Sequence, residues 1–105
     1  MNVIKVNDIA TFKTPRGVTA KKILENQSFK IMNLLLQPGE VVEKHDAPVD
    51  IFFYVVKGKG YIQENDEEVL LEANDILYCM KKVPHGLRAG EEEFNVLVVF
   101  NQTSG

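Results

Sequence analysis

The sequence predicts an all-β domain, a small barrel or sandwich assembled from short strands. Three observations carry this. Helical periodicity is nearly absent, and only residues 18–24 can be drawn as a helical turn or two. Short runs rich in β-branched and aromatic residues recur between turn signals along the chain. Several of those runs are apolar at consecutive positions, so both faces of the strands they form should be covered.

Strands are expected at residues 3–6, 20–24 and 29–36, the last closed by the turn pair Pro38-Gly39. The next, residues 49–57, ends at Lys57-Gly58-Lys59-Gly60, where glycine tolerates the positive φ of a reversal. Residues 60–64 and 67–71 flank Asn65-Asp66, a hairpin turn of the primed kind. Asn74-Asp75 introduces a strand at 76–80, and Gly90-Glu91 separates strands at 85–89 and 94–100. No linker or composition shift divides the chain, so residues 1–105 read as one domain.

Ile51-Phe52-Phe53-Tyr54-Val55-Val56 has no polar face, and neither do Leu34-Leu35-Leu36 or Val96-Leu97-Val98-Val99-Phe100. Alternate residues of a strand point to opposite sides, so a lone small barrel would leave one of these faces in water. Another sheet, the N-terminal segment or a second copy must cover it. A homodimer is the expectation, because twofold pairs are the commonest way to bury such a face.

Composition narrows the functions. Hydrophobic residues make up 45% and charged residues 26%, which suits a globular chain and excludes disordered and fibrous classes. Net charge is −3 and the basic residues are scattered, so no stripe is available to follow a nucleic-acid backbone. The acidic clusters 64–68 and 91–93 read as solvated turns. Cys79 is the only cysteine, the N-terminus lacks a signal-peptide pattern, and the longest apolar run is too short to span a bilayer. A cytoplasmic location is expected, with neither nucleic acid nor membrane as partner. Cys79 sits in an apolar strand as a small hydrophobe, no serine stands in a nucleophile elbow, and Met32 and Met80 read as core filler. Tyr54 and Tyr78 suit either a pocket or an interface.

Residues 38–89 resemble the two-motif core of the cupin superfamily. In the first motif Gly39 precedes His45 by the usual five residues, and Gly58 closes it. In the second, Asn74-Asp75-Ile76-Leu77-Tyr78 takes the place of the Gly-Asp pair and its strand, and Val83-Pro84-His85-Gly86 matches the stretch around the histidine. The resemblance implies a double-stranded β-helix, a jelly-roll-like barrel. It also implies a metal held by two histidines and a glutamate of the first motif and the histidine of the second. His45 and His85 stand at two of those positions, Ala47 at the third, and Ile51 (or Phe52, with the longer spacing) at the fourth. Elsewhere Asn74 and Lys82 replace motif glycines, Met80 a proline and Ala89 an asparagine.

Two histidines need a carboxylate partner to make the commonest iron site, and three protein ligands to make a catalytic zinc site. Strand parity places Ala47, Val49, Ile51 and Phe53 on the same face as His45, with Asp46 and Asp50 on the other. A kink at Pro48 would turn Asp50 inward, and Glu43 has the inward parity near the rim, so these two are the candidate third ligands. Without them the site is an apolar pocket of Ala47, Ile51 and Phe53 marked by His45 and His85. The first functional expectation is therefore a barrel that binds a small, mostly apolar molecule. The alternative is a metal-dependent enzyme of the dioxygenase or isomerase kind carrying Fe, Mn, Ni or Zn. A structural domain that dimerises and does no chemistry is the third reading.

Overall fold

Residues 1–103 are described by a computed structural model. Ten strands follow one another: β1 Phe12–Lys13, β2 Thr19–Glu25, β3 Phe29–Leu36, β4 Val41–His45, β5 Ile51–Lys57, β6 Lys59–Glu64, β7 Glu67–Glu72, β8 Ile76–Cys79, β9 His85–Ala89 and β10 Phe94–Asn101. They form two antiparallel sheets, six strands ordered β1-β2-β3-β10-β5-β8 and four ordered β4-β9-β6-β7. The all-β expectation holds. Among the described residues no helix is long and apolar enough to cross a membrane.

Two elements differ from expectation. The segment predicted as a strand at 3–6 leads instead into a 3-10 turn, Val6–Asp8, and the first ladder is the short β1–β2 pair. Its residues have strand propensity, but a strand persists only where a neighbour takes up its backbone groups. Conversely, β4 was not expected, because Glu43-Lys44 interrupts its apolar pattern. Pairing with β9 supplies what propensity does not.

The turns follow backbone chemistry. Asn65 adopts φ 54° at the first central position of the two-residue β6–β7 turn. The four places where the cupin motifs carry glycine are left-handed in every case: Gly39 at 76°, Gly58 at 85°, Asn74 at 74° and Lys82 at 66°. Asparagine is the next best residue for that region, whereas lysine accepts strain there. At Gly58 a side chain would also collide with the Glu93 carbonyl, so both conformation and space demand glycine.

Register divides the interior into a closed and an open end. At one end Leu36 pairs with Phe94, and with Ile62, Leu71 and Ala89 they belong to the buried core. Gly60 lets β6 approach the Phe94 ring, which a Cβ would strike. At the other end Lys30, Phe100, Ile51 and Cys79 lie in one row across β3, β10, β5 and β8. Met32, Val98, Phe53 and Leu77 form the next row inward. The opposite face of the same sheet carries Val99, Phe52 and Tyr78 in one row and Leu97, Tyr54 and Ile76 in the next. There Phe52 is 38% exposed, Tyr78 60% and Ile76 62%. Of the runs that the sequence marked as apolar on both sides, the one in β5 is thus covered on one side only, while the outward residues Leu35, Leu97 and Val99 of β3 and β10 are half-buried.

Candidate functional site

The open end of the barrel holds a cavity of about 560 Å³. The six-stranded sheet supplies Met32, Leu34, Ile51, Phe53, Val98 and Phe100 to its wall, and the four-stranded sheet supplies Val42, His45, His85 and Leu87. The β1–β2 hairpin closes one side with Phe12, Thr14, Pro15, Arg16 and Val18. Its turn is fixed by hydrogen bonds from the Gly17 N–H to the Thr14 carbonyl and from the Thr14 N–H to the Val18 carbonyl, both 2.9 Å.

His45 ends β4 and His85 begins β9, and the two are direct cross-strand partners. A bulge makes this possible. Val42 pairs with Leu87 and His45 with His85, so three steps along β4 match two along β9. One extra residue reverses the parity, and Val42 and His45 both face inward although they are three apart. Gly86 accommodates the bulge, since a Cβ there would lie 2.7 Å from the Val42 carbonyl oxygen and 3.1 Å from the Lys44 nitrogen.

The ring centroids of His45 and His85 are 4.6 Å apart, and Phe53 packs its ring against His85 at 5.8 Å. Each Nδ1 lies near a backbone carbonyl of its own strand or the loop before it, His45 at 3.0 Å from Glu43 and His85 at 3.1 Å from Val83. A carbonyl only accepts, so these bonds place the hydrogen on Nδ1 and leave Nε2 of a neutral ring unprotonated. Burial is the largest influence on His85 and pushes its pKa down; the charges of His45 and Arg16 push the same way, against the Val83 carbonyl and Glu64. His85 is thereby held neutral, able to accept a hydrogen bond or a proton through Nε2.

Behind His85 lies Cys79, its Sγ 3.7 Å from Nδ1. Burial, then the carboxylate of Glu64, pushes this thiol up to about 11. At neutral pH it is protonated and a poor nucleophile. Glu64 pairs with His85 across β6 and β9, although the sequence marked it only as part of a solvated acidic turn.

Of the residues expected in the pocket, His45, Ile51, Phe53 and His85 line the cavity, and Ala47 does not. Residues 46–50 leave the sheet, so strand parity does not run from His45 to Ile51. Ala47 is half-buried and its carbonyl accepts the Lys82 N–H at 2.8 Å. Asp50 takes no part in the lining; its Oδ1 accepts the Lys81 N–H at 2.8 Å. Glu43 is exposed, since the bulge gives Val42 the inward position. The two imidazoles are the donor set, and among the described residues no group of three or more His, Cys, Asp or Glu side chains is placed to hold a metal ion. These residues do not complete the metal site that the motif resemblance implies.

Sequence reasoning missed Arg16, Lys30, Met32, Leu34, Val98 and Phe100. For β3 and β10 the signal was present, since the lining residues alternate with outward ones in step with the buried Leu36 and Phe94. Nothing in the sequence marked Arg16, which reaches the cavity through a turn.

A family model described as "Cupin domain" matches residues 32–100. Among curated proteins none matches. The chain is similar in structure to KdgF from Halomonas sp., with 18% identity, a TM-score of 0.89, and coverage of 99% of this chain and 96% of that one. It is similar to the polyketide cyclase RemF from Streptomyces resistomycificus, with 16% identity, a TM-score of 0.88, and coverage of 97% and 80%. A predicted oxalate decarboxylase from Thermotoga maritima gives 20% identity, a TM-score of 0.84, and coverage of 95% and 98%. At such identities the likeness is one of fold.

Proposed function

This chain belongs to the cupin domain family, and from that premise we propose that it is a binding module for a small, mostly apolar molecule. The observation that carries the reading is the cavity of about 560 Å³, apolar on nearly every wall and marked by two adjacent imidazoles. Its volume lies within the range of small-molecule sites, and two of its few polar groups, the imidazoles, stand side by side, as orientation of a ligand requires. The apolar body would rest on Met32, Phe53 and Val98. A hydroxyl or N–H at its polar end would donate to Nε2 of His45 or His85.

The test is a fragment panel of small aromatic alcohols followed by amide shifts in a nuclear magnetic resonance titration. Saturable shifts clustered at Phe53, His85, Leu87 and Val98, weakened by His45→Ala and unaffected by a chelator, are the expected result. Shifts that are absent or scattered over the surface would overturn the reading. Shifts that vanish with the chelator would favour a metal-dependent site instead.

We also infer that a second copy covers the outward face of β5 and β8. Phe52, Tyr54, Val56, Ile76 and Tyr78 are themselves uncharged, and the carboxylate beside them, Asp50, lies at the edge against Tyr78, so the centres of two such faces meet without repulsion around a twofold axis. Aromatic enrichment with charge depletion is the composition of an interface core.

A further inference from the structure

We propose that the ligand of this cavity is an organic anion, an apolar body carrying one carboxylate that Arg16 holds, with Lys30 adding positive charge to the same cavity; this rests on the binding-module reading and names its ligand class.

The chain is acidic, with 15 Asp and Glu against 12 Lys and Arg, yet the cavity lining contains no carboxylate. Its only side chains of fixed charge are Arg16 and Lys30, both cationic. Three basic side chains elsewhere pair with carboxylates. Lys22 pairs with Glu25 at 2.7 Å, Arg88 with Glu68 at 2.9 Å and Lys59 with Glu72 at 3.9 Å. Among the described residues neither Arg16 nor Lys30 makes an ion pair or side-chain hydrogen bond; Lys30 rests its Nζ 5.4 Å from the centre of the Phe100 ring. Glu25 stands opposite Lys30 across β2 and β3, but it contacts Lys22 and does not line the cavity. An apolar cavity whose fixed charges are both positive, with no carboxylate in its wall, suits an anion from outside.

The turn places Arg16 for this task. Pro15 fixes the φ that precedes it, Gly17 follows at φ 89°, and the hydrogen bonds on either side hold the hairpin against the barrel. The cost of ordering the loop is then met on folding rather than on binding. Lys30 occupies the same row as Phe100 and Ile51, the outermost row of the cavity, and Arg16 lines the cavity from an exposed turn. A guanidinium there offers parallel N–H donors that match the two oxygens of a carboxylate, while the apolar rows below exclude water from the rest of the molecule.

Three probes of one skeleton separate the possibilities: cinnamate, cinnamyl alcohol and cinnamylamine, titrated at low salt by calorimetry. Cinnamate should bind about tenfold more tightly than the alcohol, the worth of a charge-assisted hydrogen bond, and the amine more weakly than both. Arg16→Ala should abolish the preference for cinnamate, weakening the acid about tenfold more than the alcohol, and Arg16→Lys should restore part of it. Arg16 is exposed in a turn, so these variants keep the fold. Equal affinity for alcohol and acid, preference for the amine, or an equal loss for acid and alcohol in Arg16→Ala would overturn the anion proposal while the binding module stands. Failure of all three to bind would sink both.

Discussion

The Cys79 thiol shows how an apolar surrounding decides the chemistry of a single side chain. Fully buried and pushed up to about 11, it should resist disulfide-exchange reagents at pH 8 in the native protein and react at once in denaturant. Native reactivity at the rate of a free thiol would contradict that environment. His85 gives a pH dependence whose sign follows from its lowered pKa. The unfolded chain takes up the His85 proton near the ordinary value of 6.5, and the folded chain only at lower pH. Stability should therefore be complete above that value and decline as pH falls below it. His45, Arg16, Glu64 and Cys79 surround the ring, so the informative quantity is a difference between variants. The drop in Tm from pH 7 to 5.5 should be smaller in His85→Gln than in the wild type; equal slopes would show that His85 does not carry it.

Strand pairing sets what those residues can do together. The β4 bulge and Gly86 are two halves of one device, since the extra residue turns His45 inward and the missing Cβ lets β9 lie against it. Gly86→Ala should cost about 1–3 kcal/mol, the range for overfilling a packed contact, and should move the His45 and His85 ring resonances. A loss of stability without change at the histidines would mean that the close approach does not position them. The hairpin of β1 and β2 plays a comparable part for the cavity wall, carrying Pro15 and Arg16 to a place no strand occupies. Parity read along the sequence succeeded wherever a strand was continuous, as from Ile51 to Phe53, and failed at β4 and residues 46–50. A bulge and a loop both break the period of two on which the reading rests.

At the scale of the whole molecule, the six-stranded sheet buries one face on the cavity and core and leaves the other apolar and open over β5 and β8. Sedimentation equilibrium at micromolar concentration should report a dimer, and Tyr78→Asp should shift it to monomer with little effect on folding, because Tyr78 lies outside the core. A monomeric wild type would mean that the outward face is covered by nothing. Loss of a dimer through Asp at this position would be the expected mark of a charge forced into a dry interface.

Local chemistry determined the class of fold. β-branched runs, Pro38-Gly39, the Gly58 bend and the Asn65 and Asn74 turns each act through the backbone of a few residues, and all are visible one position at a time. His45 and His85 were likewise legible through their spacing from the motif turns. Which third group joins them was not, because it depends on pairing between segments distant in the chain. Only the tertiary structure decided that Asp50 caps Lys81, that Glu43 faces outward, and that Arg16 lines the cavity. The physical reason is that a bulge or a turn re-aims a side chain at almost no cost in sequence signal, while changing every contact that side chain makes.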